Sequence, residues 1–392
     1  MERVVICEAL RTPIGKFLGG LASVPAPALA AGLCKTIIAK TKIDPGVVDE
    51  VILGNVLQAG LGQNPARQAA IHAGIPPAVG AVTVNKVCGS GMKAVMLATQ
   101  AIKLGDASVI LAGGMENMSR APYYLSSART GQRLGHGSMV DGMVHDGLWD
   151  IYNDFHMGNT GELVAEKYNV TREDQDKYAL ESQRKAVRAQ EEGDFDDEIV
   201  PVSIPQKKGD PIMLAADEGP RKDTTLEKLA QLKPAFKKDG TVTPGNASTI
   251  NDGAAVLLVT TESKAKELGL DVLAVIEDYA VGGVEPEWVM MAPLIAVGKL
   301  LEKTGKKIDD FDLIELNEAF SAQAVAVTRE LKMPLDRVNV NGGAVALGHP
   351  IGATGARILV TLINAMRKRG AKTGLATLCL GGGNATAVNI SM

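Results

Sequence analysis

The chain has 392 residues, 46% of them hydrophobic and 22% charged, with 41 basic and 45 acidic side chains for a formal charge of −4. That length and apolar share support a large buried core in two or three domains, and the balanced charge excludes a general nucleic-acid or membrane-surface binder. Four cysteines without an export signal or a dense disulfide framework predict free thiols in the cytoplasm, and no pair of them has metal-ligand spacing.

Val4-Val5-Ile6 enters a strand at once. No apolar leader precedes it, and no later stretch approaches the ~18 uncharged apolar residues of a membrane span. Val51-Ile52-Leu53-Gly54-Asn55 and Val82-Thr83-Val84-Asn85 read as further strands. A Gly-rich turn follows, then an apolar-periodic helix over about 89–104 that stops at Gly105, then a small-residue strand from Val109 to Gly114. Segment 119–249 has a different texture. It carries Gly131, Gly135, Gly137, Gly142 and Gly147, many Asp and Met, and most of the histidines. Its one clear helix, about 171–192, starts at Thr171 with Glu173 and Asp174 in the first turn.

From Ala274 the early pattern returns. Ala274-Val275-Ile276, Leu313 to Asn317 and Val338-Asn339-Val340-Asn341 repeat the first three strands at offsets of 256 to 270 residues. A helix over 352–369 stops at Gly370, and Leu375 to Gly383 repeats 109–114. Ala254 to Val259 matches Ala385 to Ile390 at an offset of only 131, the drop expected if the 131 residues 119–249 are inserted in the first copy. The pattern predicts two similar α/β halves, 1–118 plus 250–271 and 272–392, with 119–249 as an insertion. Their Val/Ile/Leu runs suit sheets buried on both faces. A long insertion in one half of a symmetric pair is a place to expect function.

Four motifs sit at repeated junctions. In Asn85-Lys86-Val87-Cys88-Gly89-Ser90-Gly91-Met92-Lys93 a cysteine lies between a strand and a helix, where the helix dipole favours a thiolate. A packing cysteine is the alternative. The loop from Asn339 to Gly355 holds Gly348-His349-Pro350 at the matching junction of the second half. With pseudo-twofold packing, His349 comes near Cys88 as a base beside its nucleophile; a structural loop histidine is the alternative. Cys379-Leu380-Gly381-Gly382-Gly383 places a second thiol that suits a resolving thiol, a metal ligand or a base. Asn317-Glu318-Ala319-Phe320 ends a strand at the carboxyl edge where α/β sheets hold their sites, and Glu318 reads equally as a helix N-terminal carboxylate.

Taken together, Val87-Cys88-Gly89-Ser90-Gly91, Asn317-Glu318-Ala319-Phe320, Asn341-Gly342-Gly343-Ala344 with Gly348-His349-Pro350-Ile351-Gly352, and Cys379-Leu380-Gly381-Gly382-Gly383 resemble the thiolase family from end to end, most of all its short-chain biosynthetic acetyl-CoA acetyltransferases. The resemblance implies a thiolase fold: two βαβαβαββ halves packed as a five-layer α-β-α-β-α core, with 119–249 as a CoA-binding loop domain. It implies a ping-pong Claisen condensation of two acetyl-CoA to acetoacetyl-CoA, and the reverse thiolysis. Cys88 is then the nucleophile, His349 its base, Cys379 the base for the carbon acid, and Asn317 the holder of a water beside His349. The backbone N–H groups of Cys88 and Gly381 form an oxyanion hole. CoA is a substrate and no cofactor or metal is held permanently.

The resemblance places Leu148, His156, Met157, Arg221, Phe236, Ser248, Ala319 and Phe320 around the CoA thioester. Taken alone, Arg221 suits a surface cation and Phe236 a core residue. Family members are homodimers or tetramers, and 123–142, with Tyr123, Tyr124, Leu125 and Leu134, is the candidate tetramer loop. This chain departs from the family at Val289-Met290-Met291-Ala292-Pro293, where Met-Gly-x-Gly-Pro is common, at Thr249, where Gly is usual, and at Asn384, where Met is common. The rival readings are a degradative thiolase of longer chain length, a decarboxylating ketosynthase, and a silent acyl-CoA-binding protein. His156-Met157 favours short chains. Asn317 and Cys379 stand where a ketosynthase would use two histidines, and no catalytic position is lost.

Overall fold

The computed structural model describes residues 2–392. In the first half β1 (Val4–Arg11), β2 (Glu50–Gly54), β3 (Gly80–Val84), β4 (Val109–Asn117) and β5 (Asn251–Thr261) lie in the spatial order β1-β5-β4-β2-β3. The second half repeats this with β6 (Ala274–Gly283), β7 (Leu313–Leu316), β8 (Thr373–Leu380) and β9 (Asn384–Ser391) in the order β6-β9-β8-β7. The strand expected at 338–341 shrinks to a single parallel bridge from Val338 to Ile314, in the place that β3 takes in the first half. A short ladder, Val5 with Val275 and Ile6 with Ala274, joins the two halves across the middle.

The strands alternate between two apolar surroundings. On β5, Ala255, Leu257 and Val259 face a central layer, while Ala254, Val256 and Leu258 face an outer one. On β8, Ala376, Leu378 and Leu380 face the same central layer, and Leu375 and Cys379 face the opposite outer one. Burial on both faces is why these runs are apolar without alternation. The central layer is the helix pair α3 (Ser90–Leu104) and α8 (Ile351–Arg369); α1 (Ala26–Thr41) and α2 (Pro65–His72) cover the first sheet. Helices α6 (Ala292–Thr304) and α7 (Ser321–Glu330) cover the second. The result is five layers, α-β-α-β-α.

In α8 every residue from Ile351 to Met366 is buried. Two glycines let α3 and α8 touch backbone to backbone: a Cβ on Gly91 would lie 2.8 Å from the Ala356 nitrogen, and one on Gly355 2.6 Å from the Met92 nitrogen. Both helices end where expected, on Gly105 (φ +80°) and Gly370 (φ +65°) in the left-handed region.

Residues between β4 and β5 hold α4 (Met157–Lys167) and α5 (Arg172–Glu191) among short hairpins. Thr171 and Asp174 close a capping box at the start of α5. A buried guanidinium fastens this region to β1. Arg11 holds both oxygens of Asp217, at 2.7 and 2.9 Å, and Glu198 at 2.5 Å, with Phe195 stacked 5.0 Å away. Among the described residues no helix is long and apolar enough to cross a membrane, and no cluster of three His, Cys, Asp or Glu has the arrangement of a metal site.

Candidate active site

Cys88 and His349 each lie two residues before the first residue of a central helix, α3 and α8. Since those helices are paired, the two residues arrive at one place from opposite halves. The junctions differ in detail: β3 runs through a tight turn to Cys88, whereas a one-turn helix, Ala344–Leu347, precedes His349. The Cys88 turn is held internally. Asn85 Oδ1 accepts from Val87 N–H at 2.9 Å, and Ser90 Oγ accepts from Lys86 N–H at 2.8 Å and donates to Val87 O at 2.6 Å. This staple holds Val87 at φ +47°, rare for a β-branched residue, and strain of this kind gathers at functional turns.

The second glycine turn interlocks with it. A Cβ on Gly89 would collide with Leu380 at 2.3 Å, and one on Gly381 would crowd Val87 at 3.1 Å. The approach puts Gly381 beside Cys88, near enough for its N–H, with that of Cys88 itself, to favour the thiolate.

The loop carrying His349 is pinned at three points by side chains from three other elements. Glu318 accepts from Val345 N–H at 3.1 Å, and also holds Ser182, Asn339 and Tyr178. It thus anchors the short helix before His349 and leaves its own helix α7 uncapped. Asn251 accepts from His349 N–H at 2.9 Å and from the Thr249 hydroxyl at 2.7 Å. Glu116 accepts from Gly352 N–H at 2.9 Å at the start of α8, and from Asn55, Val56 and Leu57. Burial raises its carboxyl to about 7, against the pull of those donors.

The hydrogen bonds also assign the imidazole tautomer. His349 Nδ1 lies 2.7 Å from Thr354 Oγ1, and that hydroxyl donates its one proton to Pro350 O at 2.9 Å. Thr354 is left to accept, so Nδ1 carries the hydrogen and Nε2 is the free base.

One cavity of about 690 Å³ collects these groups. Cys88, His349, Cys379, Gly381, Met290, Ala319 and Phe320 line it. Leu148, His156, Met157, Phe236 and Ser248 line it too, as do three exposed cations, Lys16, Arg221 and Lys228. His156 stacks on Phe236 at 4.8 Å between ring centres, and Phe236 meets Phe320 edge-on at 6.2 Å. Segment 246–248 is laid against the 319–321 strand end by Ser248 N–H to Ala319 O and Ser321 N–H to Asn246 O.

Asn317 is the exception. It is fully buried beside the β7–β8 ladder and is not among the residues lining the cavity, and both polar atoms of its amide have no partner among the described residues. An amide buried in that state is what an ordered water satisfies.

The electrostatics run against the thiolate expected from the helix terminus. Burial pushes the Cys88 thiol up to about 12, outweighing the two N–H donors, and pushes Cys379 up as well. Burial, with Arg357 nearby, pulls His349 down to about 3. The resting site is neutral: two thiols and one uncharged imidazole.

The family model for the thiolase N-terminal domain matches residues 4–263, and that for the thiolase C-terminal domain matches 270–392. The chain belongs to the thiolase family. A Pseudomonas aeruginosa acetyl-CoA acetyltransferase is 57% identical over 391 residues, covering all of both chains. A Staphylococcus aureus protein (strain COL), described as a probable acetyl-CoA acyltransferase, is 56% identical, covering 100% of this chain and 99% of its own. The crystal structure of the Bacillus anthracis acetyl-CoA acetyltransferase superposes with a TM-score of 0.98 at 47% identity, covering 100% of this chain and 99% of that one. This thiolase is an acyltransferase enzyme.

Sequence reasoning missed Thr354, Asn251 and Glu116, and marked Met290 only as one of the bulky residues of 289–293 near the acyl pocket. Thr354 stands five residues after His349 in the same motif and was within reach of a hydrogen-bond argument. Asn251 and Glu116 act across 98 and 236 residues, and no local pattern marks them.

Proposed function

We propose that this thiolase is an acetyl-CoA C-acetyltransferase that joins two acetyl-CoA into acetoacetyl-CoA and CoA, and runs the reverse thiolysis. The observation that carries the reading is the convergence of Cys88, His349, Cys379 and Gly381 on one cavity. Because the thiol is neutral, the Cys88 sulfur attacks the thioester carbonyl as its proton passes to His349 Nε2. CoA leaves with that proton, and Cys88 carries the acetyl group. The oxyanion forming on the carbonyl is met by the N–H groups of Cys88 and Gly381, donors each worth roughly 3–4 kcal/mol in such sites. In the second half, Cys379, its own proton passed to His349, takes a proton from C2 of a second acetyl-CoA. The carbanion attacks the acetyl group, and Cys88 departs with the proton held by His349. His349 and a water on the unpartnered amide of Asn317 stabilise the enolate oxygen.

The names of the similar proteins support the substrate class. The aromatic stack of His156, Phe236 and Phe320 suits a pantetheine arm, and the exposed cations suit its phosphates. CoA enters as a substrate, and the reading includes no resident cofactor or metal. It also takes 119–249 as the CoA-binding domain, the cytoplasm as the compartment, and a homo-oligomer as the working form, a tetramer through 123–142.

The test is mass spectrometry after exposure to acetyl-CoA. Wild type and Cys379→Ala should both carry one acetyl group on Cys88, and only wild type should release acetoacetyl-CoA. Cys88 without a label, or a variant that still condenses, would sink the assignment.

A further inference from the structure

The structure assigns Met290 as the residue that discriminates against substituents on C2 of the substrate. The inference rests on the reading of Cys379 as the group that takes the C2 proton. For that transfer C2 must lie against the Cys379 sulfur, so whatever else touches that sulfur bounds the space around C2. Met290 does so: its Sδ lies 3.9 Å from Cys379 Sγ, in van der Waals contact, and the residue is buried and lines the cavity. A hydrogen on C2 fits beside it. A methyl group there must displace the thioether.

A methionine side chain is pliable, so the wall holds only if its surroundings hold it. They do. The turn Pro286–Met291 is tied at its entry by Val284 N–H to Gly383 O at 2.7 Å. The Lys167 ammonium lies 3.8 Å from the Trp288 ring centre and bolts the turn to α4, the helix that begins at Met157 in the same cavity. Val289, Met291 and Ala292 are buried in one apolar cluster with Met290 and Cys379, so the backbone that carries the thioether is packed in place.

Discrimination by one methyl group in a packed pocket is worth roughly 10- to 200-fold. The experiment compares kcat/KM for thiolysis of acetoacetyl-CoA, 2-methylacetoacetyl-CoA and 3-oxooctanoyl-CoA by the full-length enzyme. Wild type should cleave the 2-methyl compound at least about tenfold less efficiently than acetoacetyl-CoA. Met290→Ala should raise that ratio about tenfold, and Met290→Val, which disturbs the cluster less, should raise it by a smaller factor. Met290→Leu, of similar bulk without sulfur, should keep the wild-type ratio. The 3-oxooctanoyl to acetoacetyl ratio should stay within about twofold throughout. An unchanged 2-methyl ratio in both smaller variants would overturn the inference, as would an equal gain for 3-oxooctanoyl-CoA, which would make Met290 a chain-length limit. Failure of wild type to cleave acetoacetyl-CoA is a separate outcome, and it would overturn the underlying reading as well.

Discussion

At the scale of single residues, the chemistry of the site turns on protonation. Burial and Arg357 keep His349 neutral, and Thr354, by accepting from Nδ1, leaves Nε2 free; in the proposed reaction the Thr354 hydroxyl is a positioning group. Thr354→Val removes that acceptor and lets the other tautomer compete. We expect kcat to fall about 10- to 100-fold with little change in KM, and Thr354→Ser to restore most of it, as measured by thiolysis kinetics; general base catalysis contributes on this order. The depressed imidazole also has a stability consequence. The folded chain keeps His349 neutral to about pH 3, while the unfolded chain binds a proton there near pH 6.5. Unfolding therefore takes up a proton between those values. This contribution makes stability fall as pH drops below about 6.5, by up to ~1.4 kcal/mol per unit. Urea midpoints at pH 7 and pH 5 should differ less in His349→Asn than in wild type.

At the scale of elements, the site is a product of helix pairing. Cys88 and His349 meet because α3 and α8 pack at backbone contact, and that contact depends on Gly91 and Gly355. Gly355→Val would force the helices apart at the turn that follows His349. Overpacking of this kind costs about 1–3 kcal/mol or more. We expect a lower thermal midpoint and a loss of acyl-Cys88 formation larger than the loss of folded protein, read by calorimetry and mass spectrometry on the same sample. The helix ends were legible because Gly105 and Gly370 stand where a left-handed residue closes each helix. The strand at 338–341 was misjudged because Asn339 takes φ +45° and its side chain bonds Leu316 and Glu318, which turns the chain out of the ladder after Val338.

At the scale of the whole molecule, residues between β4 and β5 reach the core through Arg11. Arg11→Ala would leave Glu198 and Asp217 buried without their cation, at a cost of about 3–5 kcal/mol, and the denaturation midpoint should fall accordingly. Arg11→Lys should recover little of that, since an ammonium cannot make the forked contact. Segment 123–142 faces outward, with Tyr123 61% and Leu134 96% exposed. Exposed apolar groups of this kind mark association surfaces. If the proposed tetramer forms through this segment, Leu134→Asp yields a smaller assembly than wild type in analytical ultracentrifugation, with thiolysis activity per chain unchanged.

The sequence by itself determined the repeat, the two helix-leading residues Cys88 and His349, the glycine turns and the family. These are properties of local spacing and backbone conformation, and they are written in neighbouring residues. Only the tertiary structure decided the state of those groups. Burial holds the Cys88 thiol protonated where the helix terminus alone argued for a thiolate, because desolvation outweighs two N–H donors, and it pushes Cys379 the same way. Asn251 and Glu116 gained their places from contacts that close only when the halves pack, and Thr354 and Met290 from side-chain contacts within the second half. Pairings across a hundred or more residues leave no periodic trace in the chain, so a carboxylate such as Glu116 reads as an ordinary polar residue until the fold sets it at the head of α8.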